Sequence, residues 1–138
     1  MDTDCLLFKR VRGDRPSHRI YEDADFVVLL TMYLVNPRHV MVVTKEHITH
    51  VYDVEDALYT PLMVLVKRMA RVVKRVIAPL QVVMEPSGIT NHHVHVHVLP
   101  VHSLYDRMPQ NVMERLLAQP VPAAERVAMA CDLATGMK

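Results

Sequence analysis

Three histidines at alternate positions, His93, His95 and His97, are interleaved with Val94, Val96 and Val98 and followed by Leu99. Alternate residues of a strand face the same way, so this pattern predicts three imidazoles on one surface, with the valines entering a core. With nine histidines in 138 residues, three would alternate somewhere by chance with a probability of about 0.04, and the apolar neighbours lower that by a further factor of about 0.07. Three chemistries fit the pattern. Imidazoles on a strand can hold zinc or a non-haem metal, although no carboxylate accompanies them in the sequence. They can line an exposed sheet face with no special role. They can also catalyse, because imidazole titrates near neutrality and is a nucleophile toward phosphorus, while neighbouring imidazoles hold its tautomer or protonate a leaving oxygen.

Such histidines need a sheet to carry them. Phe26 to Leu30 and Val40 to Val43 are β-rich runs separated by a break containing Asn36-Pro37, which predicts two adjacent antiparallel strands. Arg12-Gly13-Asp14-Arg15-Pro16 is turn chemistry, flanked by expected short strands around Leu6 and near Ile20. Thr60-Pro61 reads as a helix start, threonine as the cap and proline at the first helical position, with the helix running to about Ile77 and ended by Pro79. Leu62, Leu65, Val66, Met69, Val72, Val73 and Val76 recur at helical spacing, and Lys67, Arg68, Arg71, Lys74 and Arg75 gather on another, solvated face. Gln81 to Met84 predicts a strand, Pro86-Ser87-Gly88 a turn, and His92 to Leu99 the histidine strand, closed by Pro100. Residues 108–138 read as one or two amphipathic helical pieces interrupted by Pro120 and Pro122. The order of elements predicts an α+β fold with an antiparallel sheet of about five strands, one long helix on one face and a C-terminal helical extension. No linker or repeat divides the chain, so residues 1–138 are expected to form a single domain.

The composition is that of a chain with a core, 51% hydrophobic and 22% charged. A net charge of +1 gives no one-signed field pointing to nucleic acid or an anionic membrane. The acidic start Met1-Asp2-Thr3-Asp4 lacks the basic and apolar regions of a secretory signal, and no apolar stretch approaches the roughly 18 residues of a membrane span; both point to the cytoplasm. Cys5 and Cys131 are too few for a disulfide framework and are expected to be free thiols.

His93 to Leu99 resembles the signature of the histidine triad (HIT) proteins, in which histidine alternates with apolar residues and ends in two of them, and Leu99-Pro100 is similar to that family's continuation. The likeness extends from about Cys5 to Pro100. Cys5 to Lys9, Arg12 to Ser17 and Ile20 to Asp23 resemble the family's amino-terminal hairpin, Asn36 to Val43 its proline-glycine-histidine strand, and Lys45-Glu46-His47-Ile48 follows in the matching place. The resemblance implies a HIT-like core at about 5–100 with an extension at about 108–138. It implies a homodimer joined through the long helix and an edge strand, and a purine nucleotide or nucleotide conjugate as ligand. It implies a nucleotide hydrolase or nucleotidyl transferase in which His95 attacks an α-phosphorus, His97 hydrogen-bonds the phosphate, and His93 and His39 support them. Base and ribose would lie over Leu29 and Thr31, and Thr90 could donate to the phosphate.

Several positions depart from the family pattern. Thr31 stands where the family usually has an aspartate receiving both ribose hydroxyls, and a neutral hydroxyl offers only part of that acceptor capacity. Met84 replaces a common asparagine, Ile89 cannot stand in for a glutamine amide, and the segment Gly88 to Asn91 is about two residues short of the family's usual length. Phe8 stands where many relatives complete a Cys-x-x-Cys zinc pair with Cys5, so a structural zinc is expected to be absent or weakened, and no cofactor or metal is assigned. These losses are compatible with altered substrate choice, slow catalysis with the triad intact, or a nucleotide-binding regulatory protein.

Overall fold

The computed structural model describes residues 5–14, 17–30, 40–87, 92–101 and 123–137. Their elements are α1 (Leu6–Arg12), β1 (His18–Glu22), β2 (Phe26–Leu30), β3 (Val40–Thr44), a 3-10 turn at Val51–Asp53, α2 (Asp56–Ile77), β4 (Gln81–Ser87), β5 (His95–Val101) and α3 (Ala123–Gly136). The strands form one antiparallel sheet in the order β1-β2-β3-β5-β4. This is the expected α+β architecture with five strands.

β2 is apolar throughout and β3 is apolar up to Thr44, and both are buried at every position, as strands covered on both faces must be. On one face Phe26, Val28, Leu30, Val40, Val42, Val96 and Val98 pack with Leu62, Leu65, Val66, Met69, Val72 and Val73 of α2 and with Ala130, Leu133 and Met137 at the end of the chain. On the other, Val27, Leu29, Met41 and Val43 pack with Cys5, Leu7 and Val11 around α1. The basic residues Lys67, Arg68, Arg71, Lys74 and Arg75 of α2 are exposed, as expected of a solvated face. Arg68 and Arg75 donate to the carbonyls of Met137 and Gly136, satisfying acceptors that the end of α3 leaves without intrahelical partners. Among the described residues no helix is long and apolar enough to cross a membrane.

Four elements differ from the sequence expectations. The strand expected around Leu6 is a helix: Cys5 caps it by accepting from the Phe8 amide, Leu7 and Val11 bury at i,i+4 spacing, and Gly13 ends it with a left-handed backbone at φ 87°. α2 begins one turn before Thr60-Pro61, with the Leu58 and Tyr59 amides donating to the Glu55 carbonyl and Asp56 favourably placed at the positive end of the helix dipole. Pro61 therefore lies in the second turn and leaves the Ala57 carbonyl without its usual donor. β4 continues through Pro86 to Ser87 as an edge strand, where a missing N–H costs little. β5 starts at His95 rather than His92 and runs through Pro100, which lies beyond the stretch that pairs with β3.

α3 closes against α2 at Gly136, where a Cβ would come within 2.7 Å of Val76 Cγ2 and 2.9 Å of Val72 Cγ1. Both valines are β-branched and stiff, so neither methyl group can swing clear. Gly136→Ala should destabilise the fold by about 1–3 kcal/mol, outweighing the gain of at most about 1 kcal/mol in helix propensity. Urea unfolding measures this, and a stabilised variant would show that the α2–α3 contact is not made in solution.

Candidate active site

The structure divides the three histidines of the motif. His95 and His97 lie on β5 and share the face of the sheet that bears α1, because His95 pairs with Val43 and His97 with Met41. Val94, Val96 and Val98 enter the opposite core, as the alternation predicts. His93 lies in the bend before the strand, turned toward Cys5 and His47. The sequence reading put all three imidazoles on an open polar surface; instead His93 is 0% and His95 2% exposed, and only His97 is partly open. Alternation assigns a residue to a face, whereas the cover over that face comes from residues far away in the chain.

Hydrogen bonds fix the tautomers. His93 Nε2 lies 2.6 Å from the Thr44 carbonyl, which can only accept, so Nε2 carries the proton and Nδ1 is an acceptor. That Nδ1 lies 3.6 Å from Cys5 Sγ, whose thiol donates to it. His95 Nδ1 lies 2.7 Å from the His93 carbonyl and must donate to it. The Nε2 of a neutral His95 is then the atom with a free lone pair. The His95 and His97 rings meet edge to face, 4.8 Å between centroids and 85° between planes.

Burial lowers the pKa of all three imidazoles. It is the largest cause for His93, offset by the bond to Thr44, and for His95, offset by the bond to the His93 carbonyl. His97 is pushed down to about 4 by burial and then by the proximity of His95. All three are neutral at pH 7.

Of the other residues assigned from sequence, Leu29 is buried on the histidine face, opposite Met41, which in turn lies opposite His97. His39, Thr31 and Thr90 lie outside the described residues, as does Ile89. Met84 is exposed and pairs with Val98. Two features were missed. Glu85 of β4 stands opposite His97 in register, so a carboxylate-bearing residue does neighbour the motif. Cys5 and His47 converge on His93, with one ligand atom from each of the three lying within 4.8 Å of the others. The family likeness placed Cys5 and His47 in matching positions, but nothing in their spacing shows that they meet.

A resident metal can be tested against these donors. His47 Nε2 is buried without a hydrogen-bond partner, and His93 Nδ1 carries a lone pair anchored by the opposite nitrogen's bond to Thr44, the usual support of a metal-ligating histidine. With Cys5 Sγ they supply three donors of the kind zinc takes, one short of a closed tetrahedral set. Among the described residues this cluster, and not the alternating strand face, is where a metal fits.

The low pKa of His97 sets a pH dependence. The unfolded chain returns His97 to about 6.5, so between pH 6.5 and about 4 the unfolded state binds the extra proton and stability rises with pH. The contribution is complete above pH 6.5 and is lost as the pH falls toward 4. The difference in thermal midpoint between the native chain and His97→Asn should hold steady above pH 7 and move against the native chain below 6.5. A difference that stays constant down to pH 4 would refute the burial of this imidazole.

Residues 12–104 match the profile of the HIT domain. The chain is 29% identical over 101 residues to adenosine 5'-monophosphoramidase hnt1 of Schizosaccharomyces pombe, covering 70% of this chain and 73% of that one. Its fold is similar to the crystal structure of a Hit-like protein involved in cell-cycle regulation from Bartonella henselae, with a TM-score of 0.85, 20% identity and coverage of 99% and 98% of the two chains. It is also similar to a zinc-bound histidine triad family protein from Mycobacterium smegmatis, with a TM-score of 0.77, 22% identity and coverage of 97% and 93%. The matched segment contains the whole His93 to Leu99 motif and takes in more than half of the sequence, and the chain belongs to the HIT family.

Proposed function

We propose that this chain is a cytoplasmic nucleotide hydrolase or nucleotidyl transferase that acts on the α-phosphate of a purine nucleotide conjugate through a covalent nucleotidyl-histidine at His95. The observation that carries this reading is the bond from His95 Nδ1 to the His93 carbonyl, which holds the ring in one tautomer and leaves Nε2 as the nucleophile. In the first step the Nε2 lone pair forms a bond to phosphorus as the bond to the leaving group breaks, and the leaving group takes a proton from solvent. Water then attacks phosphorus, the P–N bond breaks, and neutral His95 is restored. His97, neutral at pH 7 because of its burial, offers a phosphoryl oxygen an N–H hydrogen bond rather than acting as an imidazolium acid. His39 supports the site, and Leu29, Thr31 and Thr90 receive the nucleotide. A metal ion held by Cys5, His47 and His93 would supply a cross-link between α1 and the bend before β5.

The relative named a monophosphoramidase makes an adenosine phosphoramidate the first substrate to try, ahead of dinucleoside polyphosphates and adenylates. Exposed Leu80 and Met84 beside and on edge strand β4, with exposed Val64 on α2, are the surfaces we assign to a homodimer.

Rapid-quench mass spectrometry should detect an adenylylated protein that is absent from His95→Ala, whose turnover should fall by about 10³-fold or more with an unchanged circular dichroism spectrum. His97→Ala should be slowed by about 10²–10³-fold. Full activity in His95→Ala would refute the covalent route. Thr31→Asp should shift preference between matched ribo- and deoxyribonucleoside phosphoramidates toward the ribo substrate by about tenfold, the scale of one charge-assisted hydrogen bond. An unchanged ratio would remove Thr31 from the ribose site.

A further inference from the structure

The row of the sheet that carries His97 changes character from one end to the other. Leu29, Met41, His97 and Glu85 stand side by side on β2, β3, β5 and β4, each opposite the next in register. Residues directly opposite across antiparallel strands share a face. Along this row Leu29 and Met41 are buried, His97 is half-buried and Glu85 is exposed. α1 packs over the Leu29 and Met41 end, so among the described residues the face opens toward edge strand β4. A carboxylate stands at that opening, and no cation among the described residues pairs with it. Residues opposite in register lie about 4.5–5.5 Å apart at Cβ, inside the screening length of about 8 Å at physiological ionic strength. The charge of Glu85 is therefore felt by whatever is held beside His97. Met84 lies on the other face, paired with Val98 of the α2 core, so Glu85 is turned away from the surface assigned to the homodimer.

We propose that Glu85 selects the leaving group by charge, favouring conjugates whose leaving part carries an ammonium beyond the scissile bond and disfavouring those whose leaving part is anionic. The inference rests on the reading that puts the nucleoside at Leu29 and the phosphoryl group beside His97. The remaining end of the row, at Glu85, then receives what departs. An ammonium there is attracted by the carboxylate, whereas a polyphosphate chain is repelled by it. Glu85 neither makes nor breaks a bond. The P–N bond breaks as His95 Nε2 attacks, the departing amine takes its proton from solvent, and the carboxylate acts only on the charge at the far end of that amine. The substrate class is thus a nucleoside phosphoramidate of a diamine. An edge-strand glutamate that served only to keep other strands away would be indifferent to the charge of the ligand.

Adenosine 5'-phosphoramidates of putrescine, butylamine and γ-aminobutyrate share a scissile bond and differ at the far end of the leaving group, which is positive, neutral or negative. Their kcat/KM values are measured with the native chain, Glu85→Gln and Glu85→Lys, and their dissociation constants with His95→Ala and with His95→Ala combined with Glu85→Gln. The native chain should prefer the putrescine conjugate to the γ-aminobutyrate conjugate by about tenfold at low salt, attraction and repulsion each supplying about threefold, and by less at high salt. Glu85→Gln should remove most of that preference and Glu85→Lys should reverse it. A ratio taken within one protein cancels any loss of activity common to all three conjugates, so a merely structural role for Glu85 would not move it. The dissociation constants should rank the conjugates in the same order in His95→Ala and lose that order when Glu85→Gln is added. A preference that survives Glu85→Gln, or fails to reverse in Glu85→Lys, would overturn the proposal. Absent turnover with the binding order intact would sink the covalent reading of His95 and leave the charge selection standing; absent binding of all three conjugates would sink both.

Discussion

His93 has no exposed surface, so neither its ring nitrogens nor its carbonyl can turn to water, and each must be met from within the protein. Nε2 goes to the Thr44 carbonyl at the end of β3, Nδ1 to Cys5 at the start of α1, and the carbonyl to His95 Nδ1. One residue thereby joins three separate pieces of chain and imposes a tautomer on the next histidine. The backbone repeats the connection, since the Thr44 amide donates to the Val94 carbonyl and the Val94 amide to the Ile48 carbonyl. The geometry of the candidate site and the docking of α1 are therefore one set of hydrogen bonds, and a change at Cys5 or Thr44 would be felt at His95.

The sheet makes that arrangement rigid by separating two kinds of environment across a single strand. Val96 and Val98 of β5 pack in the apolar core with α2, while His95 and His97 lie opposite Val43 and Met41 on the α1 side. Because side chains alternate strictly, a register shift of one residue would bury imidazoles beneath α2 and turn valines toward the α1 side. The cost of burying unpaired polar rings in that core holds the register as firmly as the apolar packing does.

Much of this was legible in the sequence because it depends on local periodicity. The continuous apolar runs of β2 and β3, the helical spacing from Leu62 to Val76 and the alternation from Val94 to Val98 each report a face, and each face lies where its period puts it. What was not legible depends on partners remote in the chain. Around Leu6 a short apolar run fits a strand or a helix, and only the burial of Leu7 and Val11 together with the Cys5 cap selects the helix. At Thr60-Pro61 the cap chemistry was sound but outweighed by the acidic start one turn earlier. His93 reads as the first member of a strand triad, yet Cys5, 88 residues away, and Thr44, 49 residues away, draw it out of the strand. Contacts of that range leave no periodic trace.

The same burial that fixes the histidines also limits what they can do unaided. An imidazole held neutral at pH 7 is a competent nucleophile but a poor acid, and His97, down at about 4, has no proton to spare beyond the one it needs for hydrogen bonding. In the proposed reaction His97 therefore meets the negative charge of a phosphate as a neutral N–H donor. Charge that develops on the phosphoryl oxygens strengthens that hydrogen bond in the transition state, when stabilisation matters most. Burial thus keeps the proposed nucleophile unprotonated and leaves His97 to steady the transferring phosphoryl group as a neutral hydrogen-bond donor.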